Sequence, residues 1–140
     1  MTEISVGRFR RLSEQALLEA GASAALAASL LSATLSAERA GRREVGAAHL
    51  PDYLASLREG RIDGAAVPVL TSPMPVTIAS DAHGGIAQLG FDMAFDDLVF
   101  RAETFGMATF TQRNSYTTGE LGYYVRRLAQ KGLVAVAATN

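Results

Sequence analysis

One segment of the chain gathers the polar residue types of a small-molecule site: Arg113-Asn114-Ser115-Tyr116-Thr117-Thr118-Gly119. A strand is predicted before it, over Met107 to Gln112, and a helix after it, over Gly119 to Lys131. In α/β proteins, the carboxyl end of a strand and the free N–H groups of a helix start bind anions and small acids. The segment is therefore a candidate site for a small carboxylate held near Gly119.

A local interpretation of the same residues stays open beside this one. Thr117 and Glu120 have the spacing of a capping box, in which the two side chains satisfy free N–H groups at a helix start. On local grounds alone, a capped helix is the favoured interpretation.

The other candidate motifs in the sequence do not indicate a catalytic, metal or nucleotide-binding site. Asp81-Ala82-His83-Gly84-Gly85 is predicted to be a turn, favoured over a catalytic role. His83 has no second ligand at a usable spacing, so no metal site is predicted. The glycine patterns of the dinucleotide fold and of the P-loop do not occur, and neither does a G-x-S-x-G elbow. Neither a Rossmann domain nor a nucleotide triphosphatase is indicated.

The elements that must position the segment follow from apolar spacing and glycine stops. Helices are predicted over residues 7–20, 24–40 and 50–59, with Ser23 as a cap and a loop over 42–49. In the second half we expect strands over 76–79, 107–112 and 133–138 and helices over 91–105 and 119–131. The last strand is apolar throughout, which is typical of a strand covered on both faces.

The order of these elements predicts a mixed α and β fold. Residues 61–75 carry three prolines and are interpreted as a linker or extended crossing segment that contains a domain boundary. Residues 1–66 then form a helical amino-terminal region, and residues 67–140 form the first part of an α/β domain with β–α–β crossovers. Because the chain stops directly after an apolar strand, we expect it to be part of a longer design.

Composition narrows the function classes. Thirteen basic and fourteen acidic residues give a net charge of −1, which argues against a nucleic-acid partner. No apolar stretch is long enough to span a membrane, and no signal peptide is apparent, so a cytoplasmic protein is the default expectation. The absence of cysteine excludes disulfides and thiolate metal sites. The alanine-rich helix 24–40 and the uncovered strand 133–138 predict a homo-oligomer, or a second chain that completes the sheet.

Several blocks in order carry a resemblance to a known family. They are Ala37-Glu38-x-x-Gly41, Leu50-Pro51-x-Tyr53 with Leu57, Gly60-Arg61-Ile62, Asp81-x-x-Gly84-Gly85-x-x-Gln88, Arg113 to Tyr124, and Ala129, Gly132, Leu133, Thr139 and Asn140. Together they resemble the malate/L-lactate dehydrogenase family, whose members read roughly R-N-S-x-H-F-G-x-L-G-Y-Y at the block from Arg113 to Tyr124. The similarity covers essentially the whole chain and roughly the amino-terminal two-fifths of a typical member.

The resemblance implies an oxidoreductase that uses NAD or NADP on a small 2-hydroxy, 2-oxo or 2-imino acid. It implies a non-Rossmann fold, with a helical amino-terminal region followed by a mixed-sheet α/β layer domain. The family's active site lies between domains of a homodimer, and most nicotinamide contacts lie beyond the part that this chain matches.

The chain departs from the family pattern at the positions that carry the family's catalytic and substrate-binding side chains. The family's S-H-G falls on Glu44-Val45-Gly46, its substrate-binding arginine on His49, and its second histidine on Thr117. Reduction needs a proton donor, which valine and threonine do not provide. The resemblance leaves His49 and Tyr116 as candidate catalytic residues, with Asn114, Ser115, Thr117 and Gly119 shaping the site.

Two hypotheses follow. In the first, the chain is a truncated or divergent dehydrogenase that is not active as it stands. In the second, it is a pseudoenzyme that serves as a binding or assembly module, or a non-redox enzyme that reuses the pocket.

Overall fold

The computed structural model describes residues 4–140, which form a mixed α/β fold. The helices are α1 (Val6–Glu19), α2 (Ala24–Arg39), α3 (Leu50–Arg58), α4 (Ala87–Phe105) and α5 (Leu121–Ala129). The strands are β1 (Val69–Met74), β2 (Thr77–Asp81) and β3 (Thr109–Arg113). Two short 3₁₀ turns, Arg43–Val45 and Ala47–His49, occupy the predicted loop before α3. The predicted mixed fold is confirmed.

The first two helices form where their local signals place them. Ser5 and Ser23 cap α1 and α2, each accepting a hydrogen bond of 3.2 Å from the backbone N–H three residues on. Gly21, with φ of +101°, supplies the left-handed residue between them. The predicted cap at Ser23 is confirmed.

The proline-rich segment holds a strand that the sequence did not predict. β1 pairs antiparallel with β2, with Val69 opposite Asp81 and Thr71 opposite Ala79. It is one of the two edge strands of the three-stranded sheet β1-β2-β3. The interpretation of residues 61–75 as a linker was wrong over β1, because proline is tolerated on an edge strand, where its missing N–H costs no ladder bond.

The predicted β–α–β unit is confirmed. β2 and β3 are parallel, in a register that runs from Thr77 opposite Thr109 to Asp81 opposite Arg113. α4 connects them, and it begins at Ala87, earlier than the predicted Phe91. The carboxyl ends of two parallel strands therefore lie side by side, ahead of the segment that joins β3 to α5.

Residues 133–138 were predicted to form a buried strand, and this was wrong. They have no ladder partner in the structure of residues 4–140, and Val134 and Val136 are 99% and 93% exposed. An apolar run shows that a strand would be favourable, but a strand also needs a neighbour with which to share backbone hydrogen bonds. That neighbour is not among the described residues.

Two hydrophobic clusters stabilise the fold. The first lies among α1, α2 and α3 and includes Ile86 and Leu89 from the start of α4. The second lies among β2, α4 and α5 and includes Ala33 from α2. The division into residues 1–66 and 67–140 stays a prediction, and each cluster draws on both sides of it. Across residues 4–140, no helix has the length and apolar character to cross a membrane.

Candidate functional site

The hydroxyl of Tyr116 is the centre of a polar cluster. It donates to Asp52 Oδ2 at 2.8 Å, and it accepts from Ser56 Oγ at 2.9 Å and from Arg61 Nη1 at 2.8 Å. Asp52 and Ser56 lie one turn apart on α3, whereas Tyr116 comes from the segment between β3 and α5. The hydroxyl has one proton for hydrogen bonding, and that proton points to Asp52.

His49 reaches the same cluster through Asp52. Its Nε2 lies 3.5 Å from Asp52 Oδ2, and its ring meets the edge of Tyr53 with centroids 4.9 Å apart. The Tyr53 ring in turn lies 5.9 Å from that of Tyr116. The two predicted catalytic residues, His49 and Tyr116, are thus brought together around one carboxylate, and their catalytic role stays a prediction.

The carboxylate of Asp81 organises the ends of β2 and β3. It accepts from the backbone N–H of His83 at 3.0 Å, from Asn114 Nδ2 at 3.1 Å and from Arg113 Nε at 2.9 Å. The hydrogen bond from the His83 N–H, with those from Asn114 and Arg113, holds the pKa of Asp81 below its usual value. Asn114 therefore shapes this edge of the sheet through Asp81.

His83 and Asn114 both adopt left-handed backbone conformations, with φ of +50° and +56°. Such conformations are uncommon outside glycine, and Asn is among the residues that tolerate them best. Gly84 N–H donates to the Asn114 carbonyl at 2.8 Å, so the two turns brace each other. The Asp81–Gly85 turn that the sequence predicted is confirmed.

The capping box predicted for Thr117 and Glu120 was wrong. α5 begins at Leu121, and Thr117 Oγ1 accepts from the N–H of Gly119, two residues on. Glu120 precedes the helix without capping it and binds Arg126 instead, at 2.5 and 2.7 Å. Gly119 has a left-handed backbone conformation, with φ of +65°, which is incompatible with an α-helix, so the helix begins after it.

A buried polar group lies directly beneath this turn. Gln88, which is 1% exposed, donates through Nε2 to the Thr118 carbonyl at 3.1 Å, and Tyr124 donates to the same carbonyl at 2.7 Å. A Cβ on Gly119 would lie 3.0 Å from Gln88 Nε2 and 3.5 Å from Tyr53 Oη. Burial raises the pKa of Tyr53 and of Tyr124, so both hydroxyls stay neutral. Among the described residues, Gln88 Oε1 has no hydrogen-bond partner.

A cavity with a volume of about 1170 Å³ lies between β3, α5 and residues 132–140. Ser115, Tyr116 and Thr117 line part of it, and residues of β3, α4, α5 and the segment 132–140 line the rest. Within residues 4–140, none of its lining side chains carries a charge, and no three His, Asp or Glu side chains come together as metal ligands.

Residues 4–140 match the model of a protein family described as malate/L-lactate dehydrogenase. The chain belongs to this family. It is 34% identical over 131 residues to the Δ1-pyrroline-2-carboxylate/Δ1-piperideine-2-carboxylate reductase of Pseudomonas putida, a match that covers 90% of this chain and 38% of the relative. The chain therefore spans about two-fifths of the length of such relatives.

Solved structures of family members share the fold. The Δ1-piperideine-2-carboxylate reductase of Pseudomonas syringae pv. tomato superposes with a TM-score of 0.88 at 30% identity, over 94% of this chain and 40% of that one. The malate dehydrogenase of Entamoeba histolytica gives 0.86 at 23% identity, over 94% and 37% of the two chains. The second likeness shows the fold alone.

The structure also places the position where the resemblance puts the family's first histidine. Val45 ends a 3₁₀ turn and is half-buried, and the preceding Glu44 is exposed and binds Arg42. Behind it, Glu38 Oε1 accepts from the Ala47 N–H at 2.8 Å and so fixes the turn. The turn is held in place, while the side chain of Val45 has no proton to donate.

Sequence reasoning missed Asp52, Ser56 and Arg61 as parts of the site. A signal was available for two of them, because His49, Asp52 and Ser56 follow at helical spacings of three and four. No local signal connects them with Tyr116, which is 64 residues from Asp52 in sequence.

Proposed function

We propose that this chain is a divergent member of the dehydrogenase family that keeps the polar floor of a small-acid site but does not reduce 2-oxo or cyclic 2-imino acids by itself. The observation that carries the proposal is the set of partners around the Tyr116 hydroxyl. In this arrangement the single hydroxyl proton of Tyr116 is engaged in the hydrogen bond to Asp52 and is not directed to a substrate.

The positions of the available protons support this proposal. Reduction of a 2-oxo or 2-imino acid requires a proton at the nascent alkoxide or amine, and general acid catalysis is typically worth about 10²–10⁴-fold. Val45 and Thr117 occupy the positions that the resemblance gives to the family's histidines. Tyr116 donates to a carboxylate, which is a stronger acceptor than a carbonyl oxygen. Release of the Tyr116 hydroxyl proton to a substrate would require the cluster around Asp52 to rearrange.

A second candidate function is an active reductase with substitute groups. The observation that favours it is the continuous path from His49 through Asp52 to Tyr116. A protonated His49 would pair with Asp52 and weaken its hold on the Tyr116 proton. That proton could then reach a substrate at the Tyr116 end of the cavity.

The described residues do not fit a nicotinamide dinucleotide. A pyrophosphate is held by cationic side chains or by free N–H groups at a helix start. The described lining of the cavity carries no cationic side chain. NAD or NADP therefore enters this proposal through the family only, and the residues of this chain account for substrate and proton contacts.

A small carboxylate near Gly119 remains part of the proposal. Arg126 neutralises Glu120 in this region, so the net charge of the pair does not oppose an anion. Pyruvate titrated against isotope-labelled protein should shift the amide signal of Gly119 more than that of Gly132, a left-handed glycine at the other end of α5.

The test of turnover is an absorbance assay of NADH and NADPH oxidation, with pyruvate, oxaloacetate and Δ1-piperideine-2-carboxylate as substrates. The chain as printed should show no rate above background at pH 6 to 8. Robust turnover would overturn the proposal and favour the second candidate.

Two variants then separate the possible acids. Tyr116→Phe removes the hydroxyl and keeps the ring, and His49→Ala removes the imidazole. Loss of turnover in the first alone would assign the proton to Tyr116, and loss in both would assign it to the path through Asp52. Asp96→Asn, a change at an exposed carboxylate on α4, is the control.

A further inference from the structure

The carboxylate of Asp52 has two possible donors at the same oxygen atom. The Tyr116 hydroxyl donates to Oδ2 at 2.8 Å, and His49 Nε2 lies 3.5 Å from that oxygen. Hydrogen bonds to oxygen are about 2.5–3.2 Å long, so Asp52 is bound by the tyrosine while the imidazole lies just out of reach. Asp52 is therefore shared between a histidine, which ordinarily titrates near neutral pH, and a phenol, which does not.

Protonation of the imidazole changes the balance between these two donors. A protonated imidazole is attracted to a carboxylate by its charge as well as through its N–H, whereas the phenol offers an O–H alone. The side chains of His49 and Asp52 are 30% and 39% exposed, so they have room to close the gap between them. Once His49 holds Oδ2, the Tyr116 O–H can turn to another acceptor.

The same protonation changes the charge of the cluster. Asp52 and Glu59 are anionic, and the cation beside them is Arg61, which lies 3.8 Å from Asp52 and 2.9 Å from Glu59. With a neutral imidazole, two carboxylates and one guanidinium leave a charge of −1, which opposes a bound anion. A protonated imidazole cancels that charge. One unit charge acting over about 8 Å changes an affinity by roughly 2- to 30-fold, depending on the local dielectric constant.

His49 is the group of this cluster whose charge we expect to change between about pH 5 and 8. The chain's second histidine, His83, lies at Asp81 instead. Other ionisable groups belong to the elements around His49: Tyr53 on α3, Glu38 on α2, which accepts from the Ala47 N–H, and the exposed pair Arg42–Glu44 at the preceding 3₁₀ turn. Phenol, carboxyl and guanidinium groups ordinarily titrate outside this range.

The cluster lies beside Gly119, near which the proposed function places a small carboxylate. The ring of Tyr53 contacts both the His49 ring, at 4.9 Å between centroids, and the Tyr116 ring, at 5.9 Å. The hydroxyl of the same tyrosine would lie 3.5 Å from a Cβ on Gly119. A charge on His49 therefore acts on a ligand held at Gly119 over a short distance.

We propose that His49 is a pH-dependent switch of the small-acid site. Its protonation pairs it with Asp52, lets the Tyr116 hydroxyl turn to a ligand and removes the negative charge that opposes an anion. The switch rests on the proposed function, since it acts on the carboxylate held near Gly119. Because binding and protonation are linked, a bound carboxylate also favours proton uptake by His49. The affinity for a small carboxylate then rises as the pH falls from 8 to 5.

The first test is the affinity for pyruvate, measured from the Gly119 amide signal of isotope-labelled protein between pH 5.5 and pH 8. Pyruvate stays an anion over this range, because carboxyl groups titrate well below it. The dissociation constant of the wild-type chain should rise roughly 2- to 30-fold from pH 5.5 to pH 8. His49→Gln cannot take up the proton, so it should show the weaker affinity at every pH. His49→Arg is cationic throughout and should show the tighter affinity at every pH.

His83→Asn is the matched control, because it removes the other imidazole of the chain. Position 83 has a left-handed backbone, with φ of +50°, and asparagine tolerates that conformation. This variant should keep the pH dependence of the wild-type chain.

The second test follows the two side chains by NMR. With two histidines in the chain, the His49 imidazole signal is identified by its loss in His49→Gln. The ring signals of Tyr116 should shift with the same pH midpoint as the His49 signal. Asp52→Asn removes the shared carboxylate and should uncouple Tyr116 from His49. A histidine with a merely structural role would leave the Tyr116 signals unchanged.

The outcomes separate the switch from the site on which it acts. If pyruvate binds at no pH, in the wild-type chain and in His49→Arg alike, the proposed carboxylate site is wrong and the switch with it. If pyruvate binds equally well at pH 5.5 and pH 8, the site stands and the switch is wrong. A pH dependence that persists in His49→Gln, or that disappears in His83→Asn, would also overturn the switch.

Discussion

At the scale of single residues, Asp81 holds the edge of the sheet that faces the candidate site. Its carboxylate binds three partners from two turns and is only 19% exposed. Two of these partners, His83 and Asn114, have left-handed backbones whose strain must be offset by such contacts. The shape of the site at Asn114 therefore depends on the ionised form of Asp81.

Asp81→Asn should lower the free energy of unfolding at neutral pH. It should also make that free energy less dependent on pH in the acid range. Because folding lowers the pKa of Asp81, its contribution is present above the unfolded pKa of about 3.9 and is lost as pH falls through the folded value. The free energy of unfolding, measured in urea from pH 7 to pH 2, should therefore fall less in the variant. Asp96→Asn should follow the wild-type curve. Identical slopes for Asp81→Asn and wild type would count against this role of Asp81.

At the scale of elements, Arg127 fastens α5 to the rest of the fold. Its guanidinium pairs with Asp92 of α4, accompanied by a bond to the Tyr123 hydroxyl at 2.9 Å, and it lies over the ring of Phe95 at 4.2 Å. Asp92 is also bound by Ser29 of α2, so three helices meet at one carboxylate. α5 in turn carries the connecting segment that holds Tyr116.

Arg127→Met should lower the free energy of unfolding by about 1–3 kcal/mol, since it keeps most of the apolar contact but leaves Asp92 without its cation. Arg42 and Glu44 form an ion pair at the surface, with side chains 61% and 62% exposed. Arg42→Met is therefore expected to lower the free energy of unfolding much less than Arg127→Met does. Urea denaturation followed by circular dichroism measures both. A larger loss in Arg42→Met than in Arg127→Met would contradict the anchoring role of Arg127.

At the scale of the whole molecule, the helical region and the sheet share their apolar cores. α4 contributes to the cluster of α1 to α3, and α2 contributes to the cluster of the sheet. Neither region buries its apolar surface without the other. This sharing bears on whether residues 1–66 and 67–140 behave as separate units.

The chain should therefore unfold in one cooperative transition. Amide hydrogen exchange should give the same free energy of opening for Leu30, buried in α2, and for Ile78, buried in β2, since both would exchange through global unfolding. Val134 and Val136, which are exposed and lie outside any helix or strand, are the fast-exchanging reference. Two distinct opening energies for Leu30 and Ile78 would show that the regions unfold independently.

The amino-acid sequence by itself determined the helices, the β–α–β unit and the family. These depend on neighbours in sequence: apolar residues at helical spacing, serine caps, left-handed glycines, and blocks of residues in a fixed order. Part of the site was accessible in the same way. Asn114, Ser115 and Tyr116 were recognised because they lie together between a strand and a helix.

The tertiary structure decided what depends on distant partners. Asp52 meets Tyr116 only because α3 packs beside the segment after β3, and no local pattern encodes a contact 64 residues apart. β1 formed despite Pro73 because an edge strand needs only one neighbour. Residues 133–138 have the composition of a strand and no partner in the described chain, because composition sets the preference for a strand while only packing supplies the edge that completes it.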